Sequence, residues 1–113
     1  MKLIKKENTN IIKNSDVCTA FEYPLDDKDI NAAIIHLSGR YPDKGRTVNL
    51  ECKELVYVLK GSGKLTCEDN EVLLSQGDLV LIDKGENYYW EGNMDLFVPC
   101  TPAWNPKQHK IIE

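Results

Sequence analysis

Glu54-Leu55-Val56-Tyr57-Val58-Leu59-Lys60-Gly61-Ser62-Gly63 is the stretch that decides the fold. It sets one acidic residue at the head of an apolar strand and closes on a glycine turn. Side chains of a strand alternate between its two faces. Glu54 therefore shares a face with Val56 and Val58, while Leu55, Tyr57 and Leu59 share the other. A second punctuated strand follows, Gly77-Asp78-Leu79-Val80-Leu81-Ile82-Asp83-Lys84-Gly85, and then the aromatic run Tyr88-Tyr89-Trp90.

Outward from these segments the chain keeps one pattern. Short apolar or alternating runs are separated by turn residues at spacings of roughly eight to twelve residues, which reads as an all-β sandwich or barrel. The expected strands are 17–23, 30–37, 46–51, 54–60, 63–68, 71–74, 79–82, 88–91 and 96–100. Asp26-Asp27-Lys28-Asp29 is a polar turn, and Gly39 to Gly45 is a longer loop with both glycine and proline. Gly61-Ser62-Gly63 permits the positive φ of a tight hairpin, and Asp69-Asn70 tolerates the same geometry at the next one. Gly92-Asn93 is expected to end the aromatic strand. No window sustains a 3.6-residue period, so no helix beyond a turn or two is expected.

The chain has 113 residues, 42% hydrophobic and 28% charged. That is one globular domain, residues 1–113, able to bury roughly two-thirds of its unfolded surface. Residues 1–14 read as an N-terminal arm. Residues 101–113 read as a tail whose prolines bar regular strand pairing, and whose Trp104 and Ile111-Ile112 are too apolar to be left in water. The tail is expected to pack back on the barrel or on a partner. A net charge of −4 gives no basic patch for nucleic acid. No run reaches the length of a membrane span, and Met1–Ser15 lacks the apolar core of a signal peptide. A soluble, cytoplasmic protein is the expectation. Cys18, Cys52, Cys67 and Cys100 lack zinc spacing and read as free core thiols. Only Cys52, beside Lys53, has an adjacent base to activate it.

The two punctuated strands resemble the paired motifs of the cupin superfamily. Glu54, six residues and Gly61 match the end of the first motif; Gly77 and Gly85 match the glycines of the second. The resemblance covers residues 46–92 and implies a jelly-roll β-barrel or sandwich with a ligand cavity at one mouth. It departs at the family's metal ligands. The two histidine places of the first motif fall on Thr47 and Asn49, or on Val48 and Leu50 with a shorter gap, and that of the second on Tyr88. The leading glycine place is Tyr41, and the second motif's proline and asparagine places are Asp83 and Gly92. Neutral oxygens bind transition metals poorly, and the chain has only two histidines, His36 and His109. No metal and no cofactor are expected, the alternative being an unusual site built from His36, Glu54 and a cysteine.

Alternation then gives a candidate ligand site of Thr47, Asn49, Glu54, Tyr88 and Trp90, with Arg46 or Arg40 at its rim. An apolar wall with a few placed polar groups suits a sugar or small organic acid. The aromatics also serve as barrel filling. An inward acid is costly to bury unpaired, so Glu54 needs a partner: Arg46, a lysine, a tyrosine hydroxyl or a ligand, with an ion pair to Arg46 as the leading structural account. Three functions follow: metal-free binding of a small molecule; sugar isomerisation or epimerisation with Glu54 as base and Tyr88 as acid; or metal-dependent chemistry with unusual ligands. Leu55, Tyr57, Leu59 and Tyr89 form an apolar outer face, which usually marks an interface. A homodimer is expected, with Met1–Ile12 as an arm available for exchange.

Overall fold

The computed structural model describes residues 1–113. After a short 3-10 turn (Lys6–Asn8), nine strands follow: β1 (Asn10–Ser15), β2 (Cys18–Tyr23), β3 (Asn31–Tyr41), β4 (Arg46–Asn49), β5 (Lys53–Cys67), β6 (Asn70–Ser75), β7 (Leu79–Ile82), β8 (Asn87–Thr101) and β9 (His109–Ile112). All pairings are antiparallel. The order runs β1-β2-β3-β8-β4-β9, and β5 joins β8 while carrying β6 and β7. The result is a curled jelly-roll half-barrel. No helix is long and apolar enough to cross a membrane.

The curl has a local cause. A straight 15-residue strand would span about 46 Å, yet the longest dimension of the whole chain is 39 Å. β5 and β8, each of that length, must therefore bend. They do so beside one another, at a rung of three glycines: Gly92 of β8 pairs with Gly39 of β3 on one side and Gly63 of β5 on the other. A Cβ on Gly92 would sit 2.5 Å from the Gly63 Cα and 2.7 Å from the Ser62 carbonyl oxygen. Gly92 also holds φ at +146°, and Gly39 at +151°, where L side chains are strained.

The rung explains where the sequence misleads. Gly61-Ser62-Gly63 is not a hairpin; it lies inside β5, which merges the two strands expected at 54–60 and 63–68. Gly92-Asn93 likewise does not end a strand but bends β8 through to Thr101. Glycine lets these strands turn a corner while keeping their ladder bonds. The hairpin expected at Asp69-Asn70 turns one residue earlier. Cys67 pairs with Asn70, and Glu68 takes the left-handed φ of +52°.

From Glu54 to Leu59 the expected alternation along β5 is realised. Glu54, Val56 and Val58 are buried, and Leu55, Tyr57 and Leu59 lie outward, each about two-fifths exposed. The buried face meets Leu37, Leu65, Ile82 and Leu96 in one apolar cluster. Both ends of the chain are more regular than the sequence implies. Residues 10–15 are no free arm; they pair with β2 of the same chain through the turn at Asp16-Val17. The tail's prolines stay outside strands, but residues 109–112 pair with β4, and Ile111 and Ile112 remain exposed.

Gly92→Ala should destabilise the fold by about 2 kcal/mol or more, from backbone strain plus the closed gap to β5. Urea denaturation reads this as a lowered midpoint, and an unchanged midpoint would refute the role given to the glycine rung.

Candidate functional site

A cavity of about 730 Å³ lies inside the curl, and Thr47, Glu54, Tyr88 and Trp90 all line it. Asn49 sits behind them, 1% exposed, bonded to both Glu54 and Tyr88. Arg46 does not join. Alternation along β4 turns it away from Thr47 and Asn49; its guanidinium donates to the Glu68 carbonyl at 2.7 Å and hangs over Tyr89. Arg40, the other rim candidate, stacks on the same ring at 3.9 Å. The expected ion pair between Glu54 and Arg46 is therefore absent. Tyr89, capped by two arginines, is also no open part of the outer apolar face.

Glu54 has neutral partners instead. Asn49 Nδ2 donates to its Oε1 at 2.5 Å, and the Tyr88 hydroxyl donates to the same oxygen at 2.9 Å. Oε2 makes no hydrogen bond within the chain. Two bonds on one oxygen favour the carboxylate, but neither brings a positive charge. Burial outweighs them and raises the Glu54 pKa above its ordinary value. Tyr88 is pushed well above 10, first by burial and then by the charge of Glu54, so its hydroxyl stays protonated. Its ring meets Trp90 edge-on, with centroids 6.3 Å apart.

The amide orientations in this cluster follow from the main chain. Gln108 Oε1 accepts the backbone N–H groups of Glu51 (3.0 Å) and Cys52 (3.3 Å), and backbone N–H groups only donate. Gln108 must then aim Nε2 at Asn49, whose Oδ1 accepts it at 2.9 Å. That leaves Asn49 Nδ2 for Glu54. The tail thus anchors the site. Trp104 and His109 join the cavity wall, and Asn31 clamps Trp104 by two main-chain bonds of 2.8 Å. Trp104 packs on the barrel as expected of the tail, but Gln108 and His109 carry no sequence pattern that assigns them to the site. The available signal was Asn105-Pro106-Lys107, a turn signature set before a short β-branched run.

The cavity mouth is formed by the loop between β2 and β3 and by the tail, joined by the Ala103 N–H donating to the Lys28 carbonyl. Charges on the wall are unbalanced: Glu22, Asp26, Asp27 and Glu54 stand against Lys28 alone. Burial raises the pKa of Glu22, which has no hydrogen-bond partner.

The residues do not fit a transition metal. No three His, Cys, Asp or Glu side chains cluster to hold one, and Asn49 turns its N–H, not its oxygen, toward Glu54. His36 is on the outer surface, paired with Asp95 at 2.6 Å, and not beside Glu54. The four cysteines are free. Lys53 reaches toward Asp83 at 4.0 Å, while Cys52 beside it is fully buried.

Residues 49–97 match the family model of the cupin domain. No curated protein matches the chain by sequence. Among solved structures, Streptomyces Pac13, a nucleoside dehydratase, superposes with a TM-score of 0.89 at 15% identity, covering 100% of this chain and 92% of its own. A variant of Pac13 with uridine matches equally well. Ectoine synthase from P. lautus gives 0.76 at 13% identity, with 100% and 91% coverage. KdgF from Halomonas sp. gives 0.72 at 11%, with 95% and 97%.

Because its folded pKa is raised, Glu54 contributes most to stability below the ordinary value of 4.5, and that contribution is lost as pH rises through the folded value. Glu54→Gln removes the loss. Urea denaturation from about pH 4 to about pH 8 should show the variant gaining on the wild type as pH rises, then levelling. A difference independent of pH would mean that burial does not raise the Glu54 pKa.

Proposed function

We propose that this cupin-fold chain binds a small, neutral, hydroxyl-rich molecule in its barrel and moves a proton on it without a metal, using Glu54 and Tyr88. One observation carries the reading: both hydrogen bonds to Glu54 land on Oε1, which leaves Oε2 free on the wall of a ligand-sized cavity. A carboxylate with a raised pKa is a stronger base than an exposed one. Oε2 is suited to take a proton from a carbon beside a carbonyl. Asn49 and Tyr88 hold Oε1 and so fix the direction of Oε2. The Tyr88 hydroxyl, protonated at neutral pH, is the donor available for oxygen that becomes negative. Isomerisation, epimerisation and loss of water all begin with such a step.

Charge selects the ligand class. Four carboxylates against one lysine disfavour a sugar acid or other small organic acid. A sugar or nucleoside suits the hydroxyl and amide donors, and Trp90 and Trp104 supply apolar surface for a ring. The likeness to a nucleoside dehydratase agrees with this class. In a thermal-shift screen, neutral sugars and uridine should include a compound that raises Tm, while sugar acids should not. That compound should exchange solvent deuterium into carbon on the wild type and not on Glu54→Gln. Stabilisation without exchange would leave a binding protein. Stabilisation by acids alone would overturn the ligand class, and one equivalent of bound iron, manganese, nickel or zinc would restore metal chemistry.

We also propose a homodimer through the outer face of β5, β7 and β8. Leu55 pairs with Leu81, and Tyr57 pairs with both Leu79 and Phe97. All five are between 39% and 60% exposed, with Leu59 beside them. A contiguous apolar face of this kind is unusual on a monomer. Sedimentation at micromolar concentration should give a dimer, and Leu81→Glu should give a monomer of unchanged fold. A monomeric wild type would sink the proposal.

A further inference from the structure

We propose that His109 is a second acid–base group of this cavity, held by Asn49 in its Nδ1–H tautomer so that an unprotonated Nε2 is offered to a hydroxyl of the ligand. The inference rests on the cavity being the ligand site. It comes from the hydrogen-bond chain described above, followed to its far end. The backbone N–H groups of Glu51 and Cys52 orient Gln108, and Gln108 orients Asn49 with Oδ1 toward the tail. His109 Nδ1 lies 2.8 Å from that Oδ1. An amide oxygen only accepts, so Nδ1 carries the proton.

A rival contact is weaker and incompatible. Trp104 Nε1–H stands 3.4 Å from the same Nδ1 and would need a lone pair there. The shorter contact, anchored by the main chain, prevails. The Trp104 ring then packs beside the imidazole, with centroids 5.3 Å apart, and does not bond to it. Nε2 has no partner in the chain, and His109 lines the cavity. In most free imidazole the proton sits on Nε2, so this arrangement is imposed by the fold.

The cavity's other ionisable groups do not undo it. Glu22, Asp26, Asp27 and Glu54 favour a charged imidazole and Lys28 opposes one, yet burial lowers the His109 pKa below its ordinary 6.5. Desolvation of the ring thus favours its neutral form. Asn49 touches both, donating to Glu54 and accepting from His109, and so fixes the two groups relative to one another.

The test starts on the free protein. Long-range proton–nitrogen correlation on histidine-labelled protein at about pH 7 should show His109 protonated at Nδ1 and bare at Nε2. In His36→Gln, which removes the surface histidine, diethyl pyrocarbonate should modify His109, since the reagent attacks an unprotonated, accessible imidazole nitrogen. Millimolar uridine or glucose, whichever raises Tm, should slow that modification by about tenfold, as occupancy of most sites requires. An Nε2–H tautomer, or a His109 that resists the reagent, would overturn the inference. So would a compound that raises Tm and leaves His109 reacting at full rate. If no compound raises Tm while His109 shows the Nδ1–H tautomer and reacts, the tautomer assignment stands and the proposed ligand function fails.

Discussion

Gln108 accepts two main-chain N–H groups with one side-chain oxygen, and the polar interior of the barrel takes its orientation from that contact. Each amide in such a chain has a donor end and an acceptor end, so fixing the first fixes the rest. Because the first partners are backbone groups, none of the members can flip without leaving a buried donor unmatched, at a cost of about 1–3 kcal/mol. Asn49 is thereby compelled to give its N–H groups to Glu54 and Tyr88 and its oxygen to the tail. A 113-residue chain can in this way hold a carboxylate inside a cavity with no cation beside it.

The same interior is poorly arranged to hold a transition metal. A metal site needs several lone pairs aimed at one point. Here, of the residues at the cupin ligand places, Asn49 and Tyr88 aim N–H and O–H at Glu54, and Thr47 donates to the Tyr88 main-chain carbonyl. Within this hydrogen-bonded cluster, Glu54 Oε2 and His109 Nε2 are left without a partner in the chain. Both are acceptors when unprotonated, and both have pKa values displaced by burial, Glu54 upward and His109 downward. In both, burial favours the uncharged form.

The barrel's shape depends on absent side chains as much as on present ones. Gly39, Gly92 and Gly63 lie abreast on three neighbouring strands, where the β5 and β8 backbones approach too closely for a Cβ. Bending there carries β8 from its pairing with β5 at Cys100 and Glu54 to its pairing with β4 at Tyr88 and Thr47. Glu54 and Tyr88, 34 residues apart in sequence, meet because the two strands that carry them curl together.

The sequence by itself determined the all-β class, the cupin resemblance and the inward direction of Glu54, because alternation along a strand is a local property that needs no partner. It also brought Thr47, Asn49, Tyr88 and Trp90 into one candidate site, again from alternation and motif spacing. Local pattern could not distinguish a glycine that turns a hairpin from one that bends a strand, since both need the same freedom of φ. It offered a tyrosine hydroxyl among the partners of Glu54 but could not choose it over Arg46. Arg46 is the nearest arginine in sequence, but the pleat of β4 directs it outward, and the true partners come from β4 and β8. Gln108 and His109 were invisible for the same reason. Their roles arise when β9 pairs with β4, some sixty residues earlier in the chain, and a pairing across that distance is decided by the tertiary structure alone.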